Sequence, residues 1–342
     1  MLVKGSHRRT VWFENGSLQM VNQPLLPHSF EIVAFTDYRE VAEAIRTMVV
    51  RGAPAIGATA AYGMALAQQN GEDLDEAAKV LKGTRPTAQD LFYGVDTVMR
   101  ELKKGGNGLK TAEEISERYV SSCESIGKYG AELIEDGMRL NTHCNAGWLA
   151  TVDWGTALAP IYKAKRQGKG LFVFADETRP RCQGSRITAF ELVEEDIEHA
   201  VIADNAAGYL MWRGEIDLVI VGADRIAING DIANKIGTYT SAIAAKQNDI
   251  PFYVAAPLAT IDKNCRNGRN IPIEERAPEE VSCMFGWDPD REAPGIIRVA
   301  PERSPVRNPA FDVTPGELIT GIITERGIFE PQQIASALEV SD

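Results

Sequence analysis

Five short apolar runs, most of them separated by a helix-length stretch, constrain the fold of this chain more than any other feature. They fall at residues 171–175 (LFVFA), 199–203 (HAVIA), 217–221 (DLVIV) and 251–255 (PFYVA), with a weaker first run at 139–142 (RLNT). Helical stretches are expected between and after them, near 155–167, 184–194, 205–213 and 234–248. Continuous apolar strands alternating with helices predict an α/β fold with a parallel sheet covered on both faces.

Ahead of residue 138 the rhythm differs. After a short extended start, Val41, Ala44, Ile45, Met48 and Val49 fall at helical spacing. Arg51-Gly52-Ala53-Pro54 then leads into a small-residue helix over 55–69, with Pro54 suited to its first turn, where a missing N–H costs nothing. Thr84-Arg85-Pro86-Thr87 is a second such turn before a helix reaching about 102, and a long amphipathic helix is expected over 111–136. At 342 residues the chain suits two domains or one large α/β domain. We divide it into a mainly helical part, 1–137, and an α/β part, 138–342. Residues 262–310, rich in Pro, Arg and Glu, are expected to be a long irregular connection, and Thr314-Pro315 to start a last helix with Thr314 as its cap.

Apolar residues make up 44% and charged residues 25% of the chain, an ordinary soluble composition. The net charge of −12 argues against nucleic acid or an anionic membrane as main partner, since both need a basic face. A small phosphorylated substrate needs only a local cluster of cations and backbone N–H groups. The five cysteines are irregularly spaced without a CxxC, and with four histidines they offer little to a metal; free thiols and no metal site are expected. Neither a signal-peptide core nor an apolar stretch near ~18 residues occurs, so the expectation is a cytoplasmic protein.

Ligands of open parallel sheets bind beyond the carboxyl ends of the strands. The residues after the five runs are His143-Cys144-Asn145-Ala146-Gly147, Asp176-Glu177-Thr178-Arg179-Pro180, Asp204-Asn205, Gly222-Ala223-Asp224-Arg225 and Ala256-Pro257. A single Asp or Asn there commonly caps the next helix, but a thiol, several carboxylates and an arginine on one rim form a candidate site. Cys144 stands in a polar, Gly-containing turn where backbone amides or a cation could ionise it. His143 is one such cation, but strand alternation sends it to the other face, and it receives no role. Anion binding is expected at Arg51-Gly52-Ala53, at Arg85, at Gln183-Gly184-Ser185-Arg186 opening a third helix, and at Asn234-Lys235 opening a fourth. Neither GxGxxG nor a P-loop motif occurs, which leaves a dinucleotide or ATP site without support.

The strings MVVRGAPAIGATAAYG (48–63), TRPTAQDLFYGVD (84–96), THCNAG (142–147), DETRPRCQGSRITAFEL (176–192), VGADRIAINGDIANKIGTY (221–239), IPIEER (271–276) and NPAFDVTPGELITGIITERG (308–327) resemble the methylthioribose-1-phosphate isomerase family from about residue 20 to 330. The resemblance implies a helical N-terminal domain, a Rossmann-like C-terminal domain, a homodimer, and isomerisation of 5-methylthioribose 1-phosphate to 5-methylthioribulose 1-phosphate without a cofactor. Motif by motif, it implies Cys144 and Asp224 as the catalytic pair, and Arg51, Gly52, Ala53, Arg85, Gln183, Asn234 and Lys235 as substrate contacts. Asp224 would serve as acid toward the ring oxygen, and Cys144 would take the C2 proton or stabilise charge during a hydride shift.

The chain departs from the family pattern at Trp148, at Gln89-Asp90 and Tyr93-Gly94, at Ala259, and in a longer 284–298 stretch. These bear on the fit of the sugar's C5 tail, with 5-deoxyribose 1-phosphate and ribose 1,5-bisphosphate as alternative substrates. Trp148 is either a core aromatic or a wall narrowing the C5 slot. The regulatory subunits of translation exchange factor 2B share the implied fold without catalysis, so a partner-binding role is the alternative from another class.

Overall fold

The computed structural model describes residues 1–85 and 88–338; Pro86 and Thr87 of the 84–87 turn lie outside the described residues. A three-stranded antiparallel sheet (Val11–Glu14, Ser17–Val21, Ile32–Phe35) opens the helical part. Helices α1 (Tyr38–Arg46), α2 (Ala53–Gln69), α3 (Leu74–Lys82), α4 (Gln89–Lys103) and α5 (Gly108–Ala131) follow. Asp37 caps α1 by accepting from the Arg39 amide at 2.7 Å, and Asn107 caps α5 by accepting from the Lys110 amide at 3.0 Å. The latter cap starts α5 three residues earlier than its apolar spacing suggests. Residues 54–67 of α2 are all buried, which explains why its apolar residues run round the whole helix instead of forming a stripe. It is the central rod against which α1, α4 and α5 pack.

The second part is built on a seven-stranded sheet. Its order is Gly327–Phe329, Gly321–Thr324, Phe252–Ala255, Leu218–Val221, Met138–Thr142, Leu171–Asp176, His199–Ile202; all neighbours are parallel except the first pair. The five expected strands are present, each within a residue or two of its apolar run. Numbered by appearance, the six parallel strands lie in the order 3-2-1-4-5-6, the Rossmann arrangement. That order reverses direction between the first strand, Met138–Thr142, and the fourth, Leu218–Val221. Helices α6 (Leu158–Arg166), α7 (Ala189–Glu194), α8 (Ala206–Trp212) and α9 (Thr238–Gln247) complete the layer structure. Among the described residues no helix is long and apolar enough to cross a membrane.

Three expectations need correction. Thr314 does not cap a helix: Phe311–Thr314 is a strand, a short turn Gly316–Leu318 follows, and Gly321–Thr324 is the sixth parallel strand, buried along its whole length. A short apolar run of this kind reads equally as strand or buried helix until its neighbours are known. Asn234 and Lys235 do not open a helix either. They end the strand Ile232–Lys235, paired antiparallel to Arg225–Ala227 on one side and to Phe311–Thr314 on the other, and α9 begins only at Thr238. The Asn229-Gly230 dipeptide between the first two of these strands is a hairpin signal. Residues 262–310 are not wholly irregular: Cys283–Asp288 and Ala293–Arg298 pair as a hairpin after a short helix, Glu279–Ser282.

Candidate active site

Cys144 follows the first parallel strand and Asp224 the fourth, so the two stand on either side of the reversal in strand order. There the connections diverge to opposite faces of the sheet and leave a crevice between them. The Cys144 turn is locally set. Cys144 has a φ of 65°, its amide donates to Thr178 Oγ1 at 2.8 Å, and its carbonyl accepts from Thr188 Oγ1 at 2.7 Å. Asp224 is anchored by its amide, which donates to the Ala233 carbonyl at 2.9 Å. Its carboxyl reaches into the cleft, open to water there and crowded by protein elsewhere.

All nine residues singled out from the sequence line this one cleft: Arg51, Gly52 and Ala53 from the start of α2, Arg85 before α4, Cys144, Gln183 before α7, Asp224, and Asn234 and Lys235 from the strand edge. The guanidinium of Arg51 donates to the Asn145 carbonyl at 2.9 Å and to the Asn145 side-chain oxygen. Its Nε–H is buried without a protein partner among the described residues, as is Gln183 Oε1. Lys235 Nζ donates to the Ala310 carbonyl at 2.7 Å and sits 4.7 Å from the Phe311 ring centre. Asn234 Nδ2 donates to Thr238 Oγ1 at 2.9 Å.

Three further cations stand on the wall: Arg186, from the 183–186 turn expected to bind an anion, and Arg181 and Arg276, which carry no local signal in the sequence. Arg181 and Arg276 both bond Glu280, at 3.0 and 2.8 Å, and Arg186 donates to the carbonyls of Pro24 and Leu26 beneath Phe285. Among the described residues, six Arg and Lys side chains thus face the cleft against a single lining carboxylate, Asp224. Arg51, Arg186 and Lys235 bond neutral oxygens there. Cations held by carbonyls keep their charge for an incoming anion, and a phosphate dianion is the natural complement.

Burial pushes the Asp224 carboxyl above the usual carboxylate range, with Lys235, Arg85 and Arg51 pulling it back. Burial likewise pushes the Cys144 thiol up, again against Lys235 and Arg51. Burial and the neighbouring Arg276 push Lys235 down, opposed by Cys144 and Asp224. Burial thus works toward the neutral forms of Cys144 and Asp224, and the surrounding cations work against it.

His143 borders the cleft, but its ring is tied on both sides: Nδ1 lies 2.8 Å from Asp176 Oδ2 and Nε2 2.8 Å from the Ile236 carbonyl. The Ile236 carbonyl can only accept, so Nε2 carries hydrogen, and Nδ1 shares a proton with Asp176. Burial works to lower the His143 pKa, and the bond and charge of Asp176 outweigh it. His143 so clamps the end of the first strand to the residue after Lys235. With Asp176 and Asp204 it also forms a group close enough to hold a metal ion. Asp204, however, accepts from the Thr178 and Arg179 amides at 2.6 and 2.7 Å, and Asp176 from Asn141, which leaves that group built for N–H donors. Trp148 is fully buried in the core beneath the sheet, which makes it a packing residue and not a wall of the cleft.

The profile of the initiation factor 2 subunit family matches residues 49–331. A protein of Acetivibrio thermocellus named methylthioribose-1-phosphate isomerase is 51% identical over 337 residues, covering 93% of this chain and 95% of the relative. One of the same name from Aquifex aeolicus is 48% identical over 329 residues, 96% of this chain and 70% of the relative. Among solved structures, 5-methylthioribose 1-phosphate isomerase from Pyrococcus horikoshii OT3 superposes with a TM-score of 0.85 at 41% identity, covering 98% of this chain and 95% of that one. A protein described as translation initiation factor eIF-2B, subunit delta, from A. fulgidus gives 0.84 at 42% identity, with coverage of 98% and 100%. The chain belongs to the initiation factor 2 subunit family, on its methylthioribose-1-phosphate isomerase branch.

Proposed function

We propose that the chain is an aldose–ketose isomerase that converts 5-methylthioribose 1-phosphate into 5-methylthioribulose 1-phosphate, a step of methionine salvage. The observation that carries this reading is that Cys144 and Asp224 line one cationic cleft from the two sides of the switch point. The helical part, 1–137, supplies the phosphate-binding turns at Arg51–Ala53 and Arg85, and the α/β part, 138–342, supplies the reacting groups. A purely partner-binding role, which the name of the A. fulgidus protein raises, gives no reason to line a cleft with six cations around Cys144 and a carboxyl whose pKa burial pushes up.

A phosphate on the anomeric oxygen prevents ordinary ring opening, so the ring oxygen must be protonated as its bond to C1 breaks. Neutral Asp224 gives that proton, and the phosphate-bearing oxygen spreads the positive charge left at C1. A hydride then passes from C2 to C1 while the 2-hydroxyl proton goes to the Asp224 carboxylate, leaving a ketone at C2. This route needs no thiolate, in keeping with a thiol pushed up by burial. Cys144 lies against the reacting carbons and keeps water from the cation. Removal of the C2 proton by a Cys144 thiolate is the competing route. Substrate deuterated at C2 separates the two: a hydride shift keeps the label at C1 of the product, whereas proton abstraction exchanges it with water.

Turnover of pentose 1-phosphates that differ only at C5 tests the substrate. The 5-methylthio compound is expected to have the highest kcat/KM and the 5-deoxy compound to follow, since an apolar pocket separates such groups by only ~1–3 kcal/mol. Ribose 1-phosphate should be poorer, with its 5-hydroxyl buried without a partner. Equal efficiency for all three contradicts an apolar C5 slot. Arg85→Ala should weaken binding of the product by ~1.5–3 kcal/mol, the range for charged hydrogen bonds. Calorimetry showing unchanged product affinity removes Arg85 from phosphate recognition.

The same reading includes a cytoplasmic homodimer. The dimer is supported by an exposed apolar face on α8 and α9, where Tyr209 and Trp212 are 60% and 71% exposed and Ile243 is exposed as well.

A further inference from the structure

Glu191 lies on α7, fully buried, and all four of its acceptor positions are filled. Oε1 accepts from Asn145 Nδ2 at 3.0 Å and from the Leu149 amide at 3.1 Å. Oε2 accepts from the Trp148 amide at 3.0 Å and from the Tyr162 hydroxyl at 2.5 Å. Three of these partners are N–H groups that can only donate, which favours the carboxylate form; burial pushes the Glu191 pKa up, and the hydrogen bonds and Arg51 pull it back. None of the four donors is a cation. A buried anion needs a compensating charge, and Arg51 lies one side chain further on. Asn145 joins them. Its Nδ2 donates to Glu191 and to Thr188 Oγ1, which forces its side-chain oxygen toward the Arg51 guanidinium. Reversing the amide would set its NH2 against the cation. Gly147 belongs to the same arrangement: a Cβ there would stand 1.7 Å from Glu191 Oε2, so the glycine of the 142–147 turn makes space for this carboxylate.

We infer that Glu191 is a positioning residue that acts through Asn145 to orient the Arg51 guanidinium in the cleft and to balance its charge. Glu191 touches no substrate. It keeps the Arg51 guanidinium turned toward the cleft that Arg51 lines. The inference rests on the isomerase reading only for the identity of that anion.

Glu191→Gln keeps the size, removes the charge, and sets an NH2 against one of the existing donors. The expected result is a rise of roughly tenfold or more in KM for 5-methylthioribose 1-phosphate and in the calorimetric Kd for inorganic phosphate, with kcat changed less than about threefold, on the scale of one charged hydrogen bond lost. The decisive comparison is in an Arg51→Ala background. There Glu191→Gln should add no further loss of phosphate affinity, because its route to the anion is gone. An equal loss in both backgrounds makes Glu191 a packing residue and overturns the inference, as does an unchanged phosphate Kd in the single variant. If Glu191→Gln loses its cooperative thermal transition, Asn145→Ala carries the same test, since it cuts the relay and leaves three donors on Glu191. The phosphate titration needs no turnover. A protein that binds phosphate in a Glu191-dependent way and leaves every pentose 1-phosphate unchanged refutes the isomerase reading and upholds the role of Glu191.

Discussion

Asp224→Asn is expected to lower turnover of 5-methylthioribose 1-phosphate by at least ~100-fold, the common scale for a positioned acid–base group, and Cys144→Ser is expected to lower it by a similar factor if a Cys144 thiolate takes the C2 proton and by less if Cys144 only shields the cation. An amide in place of the Asp224 carboxyl keeps the shape of the side chain and cannot give a proton to the ring oxygen. A hydroxyl in place of the Cys144 thiol keeps a small donor and loses the large, polarisable sulfur beside the reacting carbons. Neither change should unfold the protein: Asp224 reaches into the cleft, and the Cys144 turn is held through its backbone by Thr178 and Thr188. Steady-state kinetics beside a thermal melt measure both parts. The pH dependence adds a sign. Asp224 works as the neutral acid, so activity is present below its raised pKa and lost as pH rises through it. If either variant turns over at near wild-type rate, its role in the reaction is wrong. A turnover limb that stays in Asp224→Asn assigns the titration to another group.

Gly52→Ala is the second change with a large expected effect, and it acts on fold and site together. Gly52 has a φ of 93°, and a Cβ on it would stand 2.2 Å from the Ala150 carbonyl oxygen, a backbone atom that cannot swing away. With a ψ of 137° the Gly52 backbone lies in positive-φ extended space that is nearly reserved for glycine and costs an alanine ~1–3 kcal/mol, and forcing atoms into a packed contact costs another ~1–3 kcal/mol. A loss of about 3 kcal/mol in denaturant-induced unfolding is therefore expected from the two together. Whatever relief the chain finds must move the start of α2 away from the 148–150 turn, taking Arg51 and the Ala53 amide with it. Binding of phosphate should fall along with stability. Wild-type stability and phosphate affinity in Gly52→Ala would show that α2 does not approach this turn so closely.

How much of the fold and site is legible in the sequence varies with the reach of each interaction. The small-residue helix after Arg51-Gly52-Ala53-Pro54 and the five strands are local properties. Their signals are apolar spacing, proline in a first turn and apolar runs bounded by polar turns, all of which act within a few residues. Cys144 and Asp224 are recognisable as strand-end residues for the same reason. The segment after Thr314 misleads because an apolar run of strand length has no helical or alternating period when both faces are buried. Its place beside Phe252–Ala255 comes from pairing with a strand far earlier in the chain. Asn234 and Lys235 line the cleft, yet they sit on a strand and not a helix, as the Asn229-Gly230 turn signals.

Local sequence accounts for the elements and the chemistry at their ends: a parallel α/β part, a helical part, and a thiol, a carboxylate and several cations at strand and helix termini. Which of those ends meet is decided only in three dimensions. Strand order depends on which edges bury the most apolar surface against which helices, and no local signal carries it. That order sets Cys144 and Asp224, distant in the chain, on two sides of one crevice while turning Asp204 to cap a neighbouring loop. The same holds for Arg181, Arg276 and Glu191. In the sequence each is an ordinary charged residue on a turn or helix, and the burial that gives it a partner and a purpose is contributed by segments far along the chain.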